Sequence, residues 1–205
     1  MPVLLDPTAS STPLASARGR TLRVGLVNNM PDAALARTER QFINMLEAAA
    51  PDVTIQLSFY SVQGVPRGEL GNAHLALRGY RLAEDLMSED LDALIVTGTE
   101  PKQPDLRNEP YWPALSGLFD WIERAGPSTM FSCLAAHAAV LHYDGIERHR
   151  LAEKRCGLFD HTILSGHPLV QALPETVHVA HSRWNEVRRA DLEASGYDIL
   201  TEAAG

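Results

Sequence analysis

Residues 128–141 read Ser-Thr-Met-Phe-Ser-Cys-Leu-Ala-Ala-His-Ala-Ala-Val-Leu, and the fold turns on how this stretch is read. Residues 128–132 form a short strand-compatible run, and residues 134–143 are the small and apolar residues of a helix. A strand therefore passes into a helix across one residue, Cys133. This is the layout of a nucleophile elbow, which holds its central residue in a strained backbone state at the carboxyl edge of a sheet. It tolerates only small neighbours, here Ala135 and Ala136. A thiol placed there sits near a helix N-terminus, where unpaired amides and the helix dipole favour the nucleophilic thiolate. The Leu134 amide is positioned to hold an oxyanion. A second donor is expected around Gly98 in Val-Thr-Gly-Thr-Glu-Pro (96–101), because adjacent parallel strands deliver their C-terminal loops to one edge. A cysteine in an apolar stretch also has a plainer reading as a small, inert core residue. The Gly-x-Cys-x-Gly form of the elbow is not kept, since Phe131 and Ala135 hold its glycine positions.

Working outward, residues 22–27 (LRVGLV) form an apolar run ended by Asn28, Asn29 and Pro31, a strand entering a loop. Leu35, Phe42, Ile43, Leu46 and Ala49 then recur at helical spacing, with Thr38, Glu39 and Arg40 expected to face water and Pro51 stopping the helix. Residues 53–60 alternate as a strand, and 91–97 make a β-branched run closed by Gly98. Between them Gly64, Pro66, Gly68, Gly71 and Gly79 predict a long loop that becomes helical over 81–87. Residues 111–124 carry Trp112, Leu115, Leu118, Phe119 and Ile122 on one helical stripe that reads as core packing, ended by Gly126-Pro127. Past Gly145 the pattern loosens, with further strands expected over 158–164, 177–180 and 197–201. Alternating strands and helices imply an α/β fold, a mostly parallel sheet with helices on both faces.

At 205 residues, 45% hydrophobic and 21% charged, the chain fits one α/β domain over 21–205 preceded by a flexible arm, 1–20, rich in Pro, Ser and Thr. Cys133 and Cys156 are the only cysteines and suggest no disulfide framework, which implies a reducing, cytoplasmic setting. A formal charge of -8 argues against nucleic-acid partners. No run reaches membrane-spanning length, and the N-terminus lacks the pattern of a secretory signal. His74, His142, His149, His161, His167 and His178 show no metal-ligand spacing, so no metal is expected. Small molecules are the expected partners.

Four segments, in matching order and spacing, resemble the homoserine O-succinyltransferase and O-acetyltransferase family, built on a flavodoxin-like, class I glutamine amidotransferase-like fold. They are NNMPDAALARTERQF (28–42), DALIVTGTEP (92–101), SCLAAHAAVLHYDGI (132–146), and LAEKRCGLFDH (151–161) with HSRWNEV (181–187). The resemblance implies that Cys133 takes an acetyl or succinyl group from acyl-CoA as a thioester. The cysteine then passes it to the hydroxyl of homoserine, or of a close analogue such as serine, in sulfur amino-acid biosynthesis. It also implies substrate contacts from Lys154 and Ser182, a donor-selecting position at Lys102, no permanently bound cofactor and a homodimer.

This chain departs from the family pattern in GTEP for Gly-Ala-Pro and in His137 for a glutamine. The family's catalytic histidine and glutamate lie in a Gly-His-Pro-Glu segment that would follow the strand at 197–201, so the sequence is expected to be a truncated form of a longer one. The Gly-His-Pro at 166–168 reads as a turn, and His137 and His181 are secondary candidates for the base. Two other readings remain open: a glutamine amidotransferase-like cysteine hydrolase, and a non-catalytic binding domain if the chain really ends at 205.

Overall fold

β-Branched and apolar residues build the first strands. Val3–Leu5 is β1 and Thr21–Val27 is β2, which leads through Asn28 to Pro31 into the helix Asp32–Ala49, α1. Thr54–Ser61 (β3), Glu69–Leu77 (α2), Arg81–Leu82 (β4) and a 3₁₀ turn over Ala83–Ser88 follow. Then come Ala93–Thr97 (β5), Trp112–Ala125 (α3), Ser128–Ser132 (β6) and Leu134–Asp144 (α4). This computed structural model describes residues 3–5, 21–49 and 52–203.

The strands pair in the order β1-β3-β2-β5-β6, with β4 beside β3, and each of these pairings is parallel. α1 connects β2 to β3, α2 connects β3 to β4 and α3 connects β5 to β6, the crossovers that parallel pairing requires. Leu26, Leu57 and Val96 are wholly buried in this sheet, and Leu115, Leu118 and Phe119 of the α3 stripe are buried too, while Trp112 and Ile122 of the same stripe are half-buried. Val3–Leu5 lies within the segment read as a flexible arm. It is instead a strand aligned with Ile55, Gln56 and Leu57, with Val3 packed against the buried cluster around Val24 and Ile55. Residues 6–20 of that arm lie outside the described residues.

The expected loop between β3 and β5 contains a helix, α2, while the expected helix over 81–87 is a short strand and a 3₁₀ turn. Gly71 explains the difference: a Cβ there would meet Asp32 Oδ1 at 2.0 Å, so this glycine serves a close helix approach and does not mark flexibility. Thr38 and Glu39 are buried, against the expectation that they face water. The Glu39 carboxylate accepts hydrogen bonds from Arg78 Nε (3.0 Å) and the Tyr80 hydroxyl (2.8 Å) and pairs with His74, partners that all come from the segment read as loop. Burial first, and the Glu39 charge second, push the Tyr80 phenol well above its ordinary range, so it stays a proton donor.

Contacts divide the chain into two units, Met1–Ala139 and Val140–Gly205. The second holds His149–Ile163 (β7), Thr176–Glu186 (β8), the short helix Arg189–Ala194 (α5) and Thr201–Ala203 (β9). Its sheet is antiparallel, in the order β8-β7-β9, with a register shift between Arg150 and Arg155. The first two strands run longer than the apolar pattern suggested, and the last begins at Thr201 instead of 197. Exposed and half-buried residues alternate along β8, and polar residues occupy both sets, so apolar periodicity was a poor guide there. His167 and Pro168 open a turn closed by the Val170 amide on the His167 carbonyl at 2.9 Å, with Gly166 just before it.

Breaking the Glu39 cluster should be costly, because Arg78 would lose its buried counter-charge and Tyr80 its acceptor. Glu39→Ala is expected to lower unfolding free energy by about 2–3 kcal/mol. Urea titration of the full-length protein measures this, and a change within error of wild type would contradict the assignment.

Candidate active site

Parallel pairing opens the carboxyl ends of β2, β5 and β6 onto one edge, with Val27 beside Val96 and Thr97 beside Ser132. Cys133 follows directly at this edge. Its φ of 60° makes it the only non-glycine residue with positive φ among the described residues, and it is exposed. Such a conformation is strained for an L-residue and persists only where surrounding structure imposes it. The imposing contacts are visible. The Gly98 amide donates to the Ser132 carbonyl at 3.2 Å, and the Ala136 amide donates to the Cys133 carbonyl at 3.1 Å. A Cβ on Gly98 would lie 2.3 Å from Leu134 Cβ and 2.8 Å from the Ala135 nitrogen, so only glycine lets the β5 loop lie against the start of α4.

Of the two expected oxyanion donors, the Gly98 amide is engaged by the Ser132 carbonyl. Leu134 heads α4, where its own helix supplies no acceptor for its amide. The elbow thus brings Cys133, Leu134 and Gly98 together, with Gly98 acting through its missing side chain.

An open cleft borders the thiol. Ser132, Cys133 and Thr97 form one side, and Met30 with Thr38, Gln41, Phe42, Asn44 and Met45 of α1 form the other. Reading Thr38 as solvent-facing missed this wall; the available signal was the segment 28–42, which includes Thr38, Gln41 and Phe42. Beneath it, Asn29 ties three strand ends together. Its amide donates to Thr97 Oγ1 (2.9 Å), its Nδ2 to the Thr97 carbonyl (3.1 Å), and its Oδ1 accepts from the Val62 amide (2.9 Å).

Lys102 lies on the loop after β5 with an exposed side chain and does not line this cleft. Its backbone is held by Glu109, a buried carboxylate that accepts from the Lys102 and Gln103 amides. His137 lies on α4 and is likewise not in the cleft lining. Lys154 and Ser182 belong to the second unit. Lys154 is exposed in the register-shifted part of β7, and Ser182 is exposed on β8 directly across from Cys156.

His181, next to Ser182, contacts His161 at 2.7 Å between their Nε2 atoms, and His161 Nδ1 lies 3.2 Å from Thr201 Oγ1. Desolvation, then the charges of Arg183, His161 and Arg155, lower the His181 pKa from its ordinary value. Among the described residues no cluster of three or more His, Cys, Asp or Glu side chains is arranged to hold a metal ion, and no helix is long and apolar enough to cross a membrane.

The family model described as homoserine O-succinyltransferase matches residues 8–205. The chain belongs to the homoserine O-succinyltransferase family. A family member from Methylorubrum extorquens is 50% identical over 181 residues, 88% of this chain and 53% of that protein. One from Rhodopseudomonas palustris is 44% identical over 192 residues, 94% of this chain and 57% of that protein. The chain thus spans about half the length of these curated relatives. Among solved structures, the glutaminase domain of Trypanosoma brucei CTPS with bound acivicin is similar, with TM-score 0.58 and 10% identity over 88% of this chain and 74% of that one. A glutamine amidotransferase from Thermotoga maritima has TM-score 0.53 and 12% identity over 82% of this chain and 62% of that one. These neighbours share the class I glutamine amidotransferase-like fold expected for this family.

Gly98→Ala should destabilise the protein by about 2 kcal/mol or more, because backbone of α4 must move. It should also slow Cys133 alkylation; thermal melts with peptide-mapped alkylation check both, and a neutral result would refute the close-approach role. His181, held below its ordinary value of 6.5, stabilises the fold fully above that pH and less as pH falls below it. Its NMR titration midpoint should lie below 6.5, and a midpoint at or above that value would be inconsistent.

Proposed function

We propose that this family member forms the acyl-accepting part of a homoserine O-acyltransferase that works through a cysteine thioester in methionine biosynthesis. One observation carries the reading: an exposed cysteine is held in a strained turn at a sheet edge beside an open cleft. Cys133 Sγ attacks the thioester carbonyl of acetyl- or succinyl-CoA, the carbon–sulfur bond to CoA breaks, and the departing CoA sulfur takes up a proton. The homoserine hydroxyl then attacks the acyl-cysteine, losing its proton as the cysteine sulfur is released. The Leu134 amide is the proposed stabiliser of the oxyanion in both steps. Lys154 is proposed to pair with a substrate carboxylate, Ser182 to orient the acceptor, and Lys102 to bear on the choice of acyl donor. A histidine–glutamate pair of the kind the family resemblance implies is the proposed base. The setting proposed is the cytoplasm, and the assembly a homodimer.

The test is intact-mass spectrometry of full-length protein mixed with acyl-CoA. One acyl group should add to the wild type and none to Cys133→Ala, with turnover falling by about a thousandfold or more. Glutamine should not be hydrolysed. An active, folded enzyme that never carries acyl on Cys133 would sink the proposal.

A further inference from the structure

The cleft beside Cys133 contains no ionisable side chain in its lining other than the thiol itself. On the α1 wall, Thr38, Gln41 and Asn44 recur every third residue and offer neutral hydrogen-bonding groups, while Phe42 and Met45, with Met30 on the same side, offer apolar surface. From Thr38 to Met45 this wall runs roughly 10 Å at the helical rise per residue, longer than the acyl group that a cysteine accepts. An amino-acid acceptor brings an ammonium and a carboxylate, and covering either against this wall would remove water without returning a counter-charge. A flexible, uncharged chain of methylenes and amides fits both halves of the lining: its amides meet Gln41, Asn44 and Thr38, and its carbon segments meet Phe42 and the methionines.

We propose that the α1 face of this cleft binds the uncharged, amide-bearing arm through which a thioester donor presents its acyl group to Cys133, with Gln41 as the residue that hydrogen-bonds it. This rests on the acyl-transfer reading above and adds where the donor lies and which residues select it. Glu39, one position from Thr38, turns its charge away from the cleft into the cluster of His74, Arg78 and Tyr80, which keeps the wall neutral.

The experiment has two arms on the full-length protein. In the first, Cys133 is alkylated with iodoacetamide and with iodoacetate, a neutral and an anionic reagent of similar size, and the rate ratio is compared with that of a free cysteine peptide. The neutral reagent should gain roughly tenfold over the peptide's ratio, and Gln41→Lys should erase that gain. In the second, acyl-pantetheine is compared with the matching acyl thioester of ethanethiol, which lacks amides. Gln41→Ala should raise KM for acyl-pantetheine by roughly fivefold, with kcat and the ethanethiol thioester's constants unchanged. A purely structural role for Gln41 would move both donors together. Acyl adducts that form with Gln41→Ala indifferent to the donor, or an alkylation ratio equal to the peptide's, would overturn this inference alone. No adduct from either donor on folded protein would overturn the acyl-transfer reading as well.

Discussion

Backbone lies on backbone where the loop leaving β5 meets the first turn of α4, and the absence of a side chain at Gly98 permits that contact. The strand and the helix are locked edge to end: the Gly98 amide fastens the carbonyl of Ser132, and Leu134 and Ala135 are buried beside it. With residues on both sides pinned, Cys133 has no relaxed conformation available, and its φ of 60° follows. Exposure of the sulfur and its place beside the cleft are consequences of the same packing.

The opposite wall of the cleft depends on a different kind of support. α1 is held by a buried carboxylate, Glu39, whose partners all arrive from the segment after β3. Tyr80 accepts from Asn28 Nδ2 at 3.0 Å while donating to Glu39, which links that cluster to the loop after β2. Asn29, the next residue, carries the linkage on to Thr97 and Val62. A chain of satisfied polar groups thus runs from α2 to the cleft floor, and such networks specify one arrangement because a half-satisfied one is unfavourable in the interior.

Most of the parallel sheet was legible from apolar runs ended by Asn, Gly or Pro, since buried parallel strands are continuous in hydrophobicity. The elbow was legible too, because strand-to-helix passage across one residue leaves a local signature. Three features were hidden for physical reasons. α2 was obscured because Gly71 looks like a loop marker when its role is to admit Asp32. Thr38 and Glu39 looked solvent-facing because burial of a carboxylate is decided by distant donors that no local pattern reveals. The lengths of β7 and β8 were underestimated because polar residues occupy both their exposed and their half-buried positions. At the sheet edge, the strand-to-helix turn falls at Cys133 and Leu134 as the pattern implied, whereas the Gly98 amide is engaged by the Ser132 carbonyl and the α1 wall had no chemical marker of its own.

The conformation of Cys133 also sets function against durability. Glycine would occupy that left-handed position without steric penalty, so replacing the cysteine there by glycine relieves a strain that every other L-residue at the site must share. The most thermally robust version of this sheet edge is therefore one that has lost its sulfur. Screens that reward melting temperature alone would drift toward inert proteins, and stabilising this scaffold without harm means working on surfaces remote from the elbow.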